Sequence, residues 1–250
     1  MYERFLGEQL YPRYTLLVLM AIIKVGTSGY AYHWNEGKPT PFEWYISQGF
    51  KTVEINASFY RFPSKSWTAA WLKAPMNFDF SIKVHGSITH RSRLGEAAVR
   101  LWPKFVKPLE EILDKIAFFL FQMPPSFVAS KANLERLSQF FKRVEVPRIA
   151  VIEFRHESWW SKIKEVESFG LVFCSVDSPE LPRDVLVTND VVYLRLHGRE
   201  TWYAYVYDES ELVEIASKVK ELNALRKYVY LNNDHGMLPN GKLLMKLLGC

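Results

Sequence analysis

Short apolar segments alternate with amphipathic segments along nearly the whole chain. The apolar segments are rich in β-branched and aromatic residues, which favours strands, and most segments between them have the 3.6-residue spacing of helices. The predicted strands read IIKVGT, TVEIN, FDFSIKV, KIAFFLFQ, RIAVIEFR, LVFCSVD, VVYLRLH and KYVYLN. Helices are predicted to begin near Pro41, Ser64, Glu96, Lys131, Trp160, Asp208 and Asn240. The sixth connection, SPELPRDVLVTND, lacks helical spacing, so we expect no helix there.

This alternation constrains the fold strongly. Strands separated by helices are expected to be parallel, because each helix returns the chain to the start of the next strand. Eight such units in 250 residues match the size of a (β/α)8 barrel. An open doubly wound sheet is the alternative, but the chain has no GxGxxG motif or P-loop. We therefore predict an α/β fold, a single (β/α)8 TIM barrel with a closed, parallel, eight-stranded sheet and outer helices.

The composition is that of a folded globular chain. Hydrophobic residues make up 48% and charged residues 24% of the sequence, which allows a sizeable core and excludes a disordered chain. No linker-like segment divides the sequence, and a strand-like segment begins at Met20. We therefore expect an N-terminal extension over residues 1–20 and a single TIM-barrel domain over residues 21–250.

Cysteine content, targeting signals and charge limit the cellular setting. Cys174 and Cys250 are the only cysteines, too few for a disulfide framework, which favours a reducing cytoplasm. The apolar run TLLVLMAII is about half as long as a membrane-spanning helix, and we recognise no targeting signal. The net charge of +5 is compatible with a small anionic substrate, nucleic acid or a solvated surface. We expect a cytoplasmic protein with no membrane partner, and the sequence leaves its oligomeric state open.

Within the predicted strands, apolar and polar side chains alternate. In the fifth strand, for example, Ile152 and Phe154 have one parity, and Glu153 and Arg155 have the other. Neighbouring residues of a barrel strand point alternately outward and inward. Helices cover the apolar side, so we expect the polar side chains to face the barrel axis near the C-terminal strand ends, where such barrels have their active sites. In the sixth strand the same rule predicts that Asp177 faces inward and Cys174 outward.

Motifs at the strand ends resemble those of a known family. They read GTSGY, VEINASFYRFPS, FSIKVHGSITH, FQMPPSF, EFRHESWW, VDSP, RLHGR and YLNNDHG. In this order, from about Val25 almost to the C-terminus, they resemble the YecE-like TIM-barrel family, domain of unknown function seventy-two. The resemblance implies a TIM barrel but no agreed reaction. The functional residues that it implies are Glu54, Asn56, Lys83, His90, Gln122, Glu153, Arg155, His156, Asp177, Arg195, His197 and Asn232.

The expected inward groups suit acid–base chemistry on an anion. Three carboxylates and three cationic side chains nearly cancel, so Arg155 and Arg195 are available to hold a phosphate, a carboxylate or a sugar-like substrate. The residues that we expect to be catalytic are Glu54, Lys83, His90, Glu153, Asp177 and His197. Those that we expect to bind substrate are Asn56, Gln122, Arg155, His156, Arg195 and Asn232. We predict an enzyme, with the choice between hydrolase, lyase and isomerase left open.

Lys83 has two interpretations. An inward lysine beside arginines in a low-dielectric interior should have a lowered pKa, which would leave a free amine able to form a Schiff base. Alternatively, Lys83 pairs with Glu54 or Glu153.

Other functions stay open at this point. The chain has no HxH or HExxH spacing, and no cofactor is predicted, but carboxylates from separate strands leave a divalent metal possible. A metal-dependent phosphodiesterase or nuclease acting on nucleic acid is one alternative, supported by the basic charge balance. A non-catalytic barrel that binds a ligand is another. The polar groups are also compatible with a self-satisfied network that only holds the strand ends together.

Overall fold

The computed structural model describes residues 21–250, so the predicted extension over residues 1–20 lies outside the described residues. All eight predicted strands are present, and the sixth is divided into two short strands at Cys174. The strands are β1 (Ile22–Thr27), β2 (Thr52–Ile55), β3 (Asp79–Lys83), β4 (Ile116–Gln122), β5 (Ile149–Glu153), β6 (Val172–Phe173), β7 (Ser175–Asp177), β8 (Val191–Leu196) and β9 (Arg226–Leu231).

Helices occupy most of the connections between the strands. They are α1 (Pro41–Ser47), α2 (Ala57–Tyr60), α3 (Lys65–Trp71), α4 (Glu96–Val106), α5 (Lys131–Arg143), α6 (Ile163–Ser168), α7 (Glu209–Glu221) and α8 (Met237–Leu248). The first residues of α1, α3, α4, α5 and α7 agree with the predicted starts within one residue. Side chains of Thr40, Ser130 and Asp208 accept backbone N–H groups of the first turn, which explains three of these starts. Across residues 21–250, each helix is too short or too polar to cross a membrane.

Two helix starts differ from the prediction. The start expected near Trp160 lies inside a 3-10 turn, Glu157–Lys162, that leads directly into α6. Helix α8 begins at Met237, before the expected Asn240. The side chain of Asn240 does not cap this helix, because its amide bonds the backbone N–H and carbonyl of Tyr207. An asparagine that links two elements therefore resembled a helix cap in the sequence.

The named strands form two parallel sheets. One has the order β1-β9-β8-β7 and the other β2-β3-β4-β5-β6. Cys174 alone separates β6 from β7, so a continuous piece of chain joins the sheets at one pair of edges. At the other pair of edges, Gly26 of β1 packs against Thr52 of β2, and a Cβ added to Gly26 would lie 2.4 Å from the Thr52 carbonyl oxygen. The two sheets are therefore neighbours at both of their edges.

The predicted alternation of side chains is visible in the packing. Outward residues such as Val53, Ile152 and Leu194 lie in cores formed with the helices. A separate cluster between the sheets contains Phe118 of β4 and Tyr193 of β8, whose ring centroids are 5.2 Å apart. Polar side chains occupy this interior beyond the aromatic cluster, toward the C-terminal strand ends.

The sixth strand has the opposite parity from the one predicted. Cys174 and Val176 belong to the interior cluster, whereas Phe173 packs in the outer core, so the predicted outward position of Cys174 is wrong. The cause is the non-helical connection over residues 178–190, which covers the outer face. There the Ser175 hydroxyl accepts the N–H of Leu186, so a polar side chain is satisfied on a face where a helix would require an apolar one.

Candidate functional site

Three charged side chains meet in the interior, one from each of three strands. Arg195 of β8 donates through one terminal nitrogen to Glu54 of β2, at 2.6 Å, and through the other to Glu153 of β5. All three side chains are completely buried. Buried charges require partners because their loss of hydration is expensive. Arg195 therefore fixes the separation of the two carboxylates.

Both carboxylate oxygens of Glu54 accept hydrogen bonds. Its Oε1 also accepts the hydroxyl of Ser28 at 2.8 Å, and its Oε2 accepts the hydroxyl of Tyr193 at 2.7 Å. With Arg195, these contacts occupy both oxygens of the carboxylate. Glu54 is thus fixed in one position in the framework of the site.

Glu153 lies between two guanidinium groups. Its Oε1 forms an ion pair with Nε of Arg155, two residues along the chain, and lies 3.6 Å from Nε2 of His197. Burial alone would raise the pKa of this carboxyl. The charges of Arg155 and Arg195, with His197 nearby, outweigh that effect and hold the pKa well below its usual range. Glu153 is therefore ionised at neutral pH.

His197 is an uncharged hydrogen-bonding group. Burial lowers the pKa of its imidazole well below the ordinary value, and the charges of Arg155 and Arg195 lower it further. The amide nitrogen of Asn232 lies 3.1 Å from Nδ1 and can only donate to it. Its Nε2 lies 3.6 Å from Oε1 of Glu153, and 3.4 and 3.5 Å from terminal nitrogens of Arg155 and Arg195.

Lys83 ends β3 and lies beside this network without joining it. The residue is 8% exposed, and its ammonium nitrogen lies 4.7 Å from the ring centroid of Phe59. Within residues 21–250, no carboxylate forms an ion pair with Lys83, so the predicted pairing with Glu54 or Glu153 is not observed. Burial, followed by the charge of Arg195, lowers the pKa of Lys83 to about 7 despite the two carboxylates. This agrees with the lowered pKa predicted from the sequence.

His90 lies close to Lys83 in a π-helical turn, Ser87–Arg91, that follows β3. Its ring contacts Phe59 edge to face, with centroids 4.8 Å apart, so Phe59 touches both His90 and Lys83. Burial and the charges of Lys83 and Arg155 lower the pKa of His90 to about 4. The imidazole is therefore neutral at neutral pH and can accept a hydrogen bond from a ligand.

Three further predicted residues lie at the rim of the cluster. Asn56 donates to the carbonyl of Ser28 at 3.2 Å, and its own buried Oδ1 has no hydrogen-bond partner in the described part of the chain. Gln122 ends β4 directly opposite Glu153 in the strand register and is partly exposed. Asn232 follows β9 and orients His197. Asn232 thus bonds a member of the cluster directly, and Asn56 bonds the backbone of Ser28, whose hydroxyl bonds Glu54.

Arg155 is the guanidinium nearest to solvent. Its Cζ lies 4.4 Å from the ring centroid of Trp202, in the loop that follows β8, and its terminal nitrogen is 3.4 Å from His197. The same tryptophan contacts the His197 ring. Trp202 therefore covers the site from one side.

Asp177 does not join the cluster. Its Oδ1 accepts the hydroxyl of Tyr207 at 2.9 Å, and its Oδ2 accepts Nε of Arg199 at 3.1 Å. Arg199 in turn bonds Glu214 of α7. The predicted inward position of Asp177 is wrong for the same reason as that of Cys174, since both follow from the reversed parity of the sixth strand.

His156 also lies apart from the charged groups. Its Nδ1 accepts the backbone N–H of Ser158 at 3.2 Å and caps the 3-10 turn Glu157–Lys162. It has the parity of Phe154, which packs in the outer core. The structure gives His156 a capping contact and no contact with the cluster.

Sequence reasoning did not predict the contacts of four contributors with the cluster. Ser28 and Tyr193 bond Glu54, and both could have been found by continuing the inward parity, from Gly26 in the first strand and from Arg195 in the eighth. Cys174 is interior, and its Sγ lies 4.0 Å from Glu153. Trp202 follows no strand period, so no local signal indicates its position over Arg155.

The site has one cation beyond its balanced pairs. Glu54 and Glu153 are matched by Arg195 and Arg155, which leaves Lys83. Burial raises the pKa of the Cys174 thiol, so that group stays protonated and uncharged. Over residues 21–250, no group of three or more His, Cys, Asp or Glu side chains is arranged to hold a metal ion. The arrangement can bind an anion and move protons with neutral imidazole and amine groups.

Comparison with known proteins agrees with the resemblance of the strand-end motifs. A family model described as "Protein of unknown function DUF72" matches residues 24–248. The UPF0759 protein YunF of Bacillus subtilis (strain 168) is 27% identical over 241 residues, which cover 81% of this chain and 84% of that protein.

Solved structures of the same family are similar in fold. A DUF72 family protein from Thermotoga maritima MSB8 is 29% identical, with a TM-score of 0.79 over 92% of this chain and 100% of that one. One from Enterococcus faecalis V583 is 23% identical, with a TM-score of 0.79 over 92% of this chain and 96% of that one. Since the family model spans almost all of the described residues, the chain belongs to the DUF72 family.

Proposed function

We propose that this protein is an enzyme that carries out acid–base chemistry on a small anionic substrate, a phosphate or a carboxylate, at the C-terminal ends of its strands. The observation that supports this most directly is Lys83, a buried amine beside an ion network that is already neutral. An anion bound next to Lys83 would balance its charge where water is largely excluded.

Arg155 is the second group that we assign to anion binding. Its Nε pairs with Glu153, one terminal nitrogen lies 3.4 Å from His197, and Trp202 restricts the plane of its guanidinium. A guanidinium donates strong, charge-assisted hydrogen bonds to phosphate or carboxylate, and the other terminal nitrogen of Arg155 is available for one. Arg195, by contrast, uses both terminal nitrogens on Glu54 and Glu153. We therefore assign Arg195 to holding the carboxylates rather than the substrate.

Lys83 is the group that we assign to proton transfer. With a pKa of about 7, both its protonated and its neutral forms are present at neutral pH, as an efficient general acid–base requires. The strongly ionised Glu153 is a poor proton acceptor, so its role is to orient Arg155 and His197. His90 lies beside Lys83 and can bond the substrate.

We also propose that the two sheets form one closed eight-stranded barrel. The continuous chain from β6 to β7 and the tight approach of Gly26 to Thr52 support closure. In a closed barrel the ends of β2, β3, β5 and β8 share one rim, which is where Glu54, Lys83, Glu153 and Arg195 lie in the chain.

The test begins with binding. Inorganic phosphate, sulfate and a panel of small phosphorylated and carboxylated compounds are screened by thermal shift. We expect some of them to raise the melting temperature of the wild-type protein, and this rise to be lost in Arg155→Met. Lys227→Arg serves here as a control that should keep the rise, and it matches the Lys83 variant used next, because Lys227 is also a buried lysine but lies on β9 with its ammonium bonded to the Lys220 carbonyl.

Compounds that bind are then incubated in D2O and followed by proton NMR. We expect exchange of a carbon-bound proton, or conversion of the compound, at a rate that rises with pH through about 7 and is lost in Lys83→Arg. Binding without exchange or conversion would support the ligand-binding barrel instead. Failure of every anion to bind would contradict the proposal.

A further inference from the structure

We propose that Lys83 is a nucleophile and that its amine forms an imine with a small aldehyde or ketone that also bears a phosphate or carboxylate. This rests on the proposed function, because the same anion-binding groups would hold the charged end of the substrate. It goes further by naming the reacting group on the protein and the chemical class of the substrate.

The surroundings of Lys83 favour a free amine. Both oxygens of Glu54 are occupied by Ser28, Tyr193 and Arg195. Glu153 is occupied by two guanidinium groups. Neither carboxylate therefore forms an ion pair with Lys83 that would hold its proton. A nucleophilic lysine needs such an arrangement, since only the neutral amine has a lone pair to donate.

Two groups near the amine, Phe59 and Arg155, can stabilise the imine product. The face of Phe59 lies 4.7 Å from Nζ and can attract a cation. A protonated imine is a cation in the place of the ammonium, so Phe59 can stabilise it as well. Arg155 lies close enough to Lys83 to affect its charge and can hold the anionic end of the same molecule. The substrate is thus expected to be short, with its carbonyl near its charged group.

The chemistry needs no partner beyond the carbonyl compound and a proton. The amine nitrogen attacks the carbonyl carbon, the π bond to oxygen breaks, and that oxygen takes the proton released by nitrogen, giving a carbinolamine. The hydroxyl then leaves as water with one proton from solvent, and a protonated imine remains. The positive nitrogen draws electrons through the C=N bond, so a proton on the carbon next to the imine carbon, where there is one, is lost more readily.

Trapping the imine tests the inference. The full-length protein is incubated at pH 7 with glyoxylate, pyruvate or dihydroxyacetone phosphate, reduced with borohydride, digested and mapped by mass spectrometry. We expect the Lys83 peptide to gain the mass of the carbonyl compound less one oxygen atom. An ordinary lysine, with a pKa of about 10.4, has very little free amine at pH 7, so labelling of Lys83 should exceed that of exposed lysines by roughly a thousandfold.

Two variants and one pH series show whether the labelling requires the Lys83 amine. Lys83→Arg keeps the charge but not the nucleophile, and its labelling should be lost. Lys227→Arg should label Lys83 as the wild type does, since Lys227 is buried but lies on the outer side of β9. Labelling should also rise between pH 6 and 8, as the amine with a pKa of about 7 loses its proton. If Lys83→Arg does not fold, the wild-type peptide map and its suppression by inorganic phosphate decide the question.

The outcomes separate the two proposals. No adduct at Lys83, or labelling spread evenly over exposed lysines, would overturn the imine. If phosphate binding and proton exchange persist in that case, the proposed acid–base function stands without it. Absence of the adduct, of anion binding and of exchange together would overturn both.

Discussion

At the scale of single residues, Arg195 has no contact with solvent and holds one carboxylate with each of its terminal nitrogens. Burial alone would lower its pKa, but Glu153 and Glu54 raise it well above the ordinary value. An ion network of this kind is costly to assemble and far costlier to break, since loss of one member leaves the others buried without partners. The buried positions of Glu54 and Glu153 therefore depend on Arg195.

Replacement of Arg195 by methionine should lower the free energy of unfolding by about 3–5 kcal/mol, because Glu54 and Glu153 then lie buried without a counter-charge. Urea denaturation at pH 7 measures this. Adding Glu54→Gln and Glu153→Gln to Arg195→Met should recover part of the loss. Arg143→Met, which breaks an exposed pair with Glu96, is the control and should match the wild type. Equal stabilities of Arg195→Met and wild type would contradict the assignment.

Lys83 should make stability depend on pH in a defined direction. Its folded pKa of about 7 lies below the ordinary value of 10.5, so above pH 7 the unfolded chain binds a proton that the folded chain lacks. The stability of the wild type therefore rises from pH 7 toward 10.5 relative to a protein without this lysine, and the full cost of the buried charge is present below pH 7.

Lys83→Met tests this with urea denaturation from pH 6 to 9. The variant should be more stable than the wild type at pH 6. Its advantage should shrink by roughly 1.4 kcal/mol per pH unit above about pH 7. A difference between the two proteins that stays constant over the whole range would show that Lys83 titrates normally.

At the scale of elements, the connection after β7 shows how a segment without a helix can still cover a strand. The Thr188 hydroxyl accepts the backbone N–H of Phe173, and the Ser175 hydroxyl accepts that of Leu186. These two bonds fasten residues 178–190 across the sixth strand. They also explain why its outward face tolerates a polar residue and why its parity misled the sequence prediction.

Thr188→Val should lower the free energy of unfolding by about 1–3 kcal/mol, because the buried N–H of Phe173 loses its acceptor while the side-chain volume is kept. Thr188→Ser retains the hydroxyl and should stay within about 0.5 kcal/mol of the wild type. Chemical denaturation of the three proteins measures both values. If the valine and serine variants lose the same amount, the hydroxyl has no role in fastening the connection.

At the scale of the whole molecule, the junction between β1 and β2 decides whether the two sheets enclose a common interior. Gly26 allows a close approach there, since any side chain would meet the backbone carbonyl of Thr52. A backbone oxygen cannot rotate away as the tip of a side chain can. The tightness of this junction is therefore a property of the assembled sheets.

Gly26→Ala should lower the free energy of unfolding by about 1–3 kcal/mol, the usual cost of overpacking, and Gly26→Val should lower it further. Thermal and urea denaturation measure the series. If the sheets separate at this junction in solution, the added methyl group meets nothing and both variants should lie within about 0.5 kcal/mol of the wild type. That result would contradict barrel closure.

The sequence by itself determined the order of the elements and the side of the sheets on which most polar groups lie. Both follow from local periods, 3.6 for helices and 2 for strands, which neighbouring residues already display. The positions of Glu54, Glu153 and Arg195 were predictable on that basis.

Only the tertiary structure decided which of those polar groups meet. Asp177 and His156 have suitable residue types but point elsewhere, and Trp202 reaches the site from a loop without a period. A strand period fixes that side chains alternate but not which set faces inward. That choice depends on what covers each face, and at the sixth strand the packing of the non-helical connection over residues 178–190 makes it.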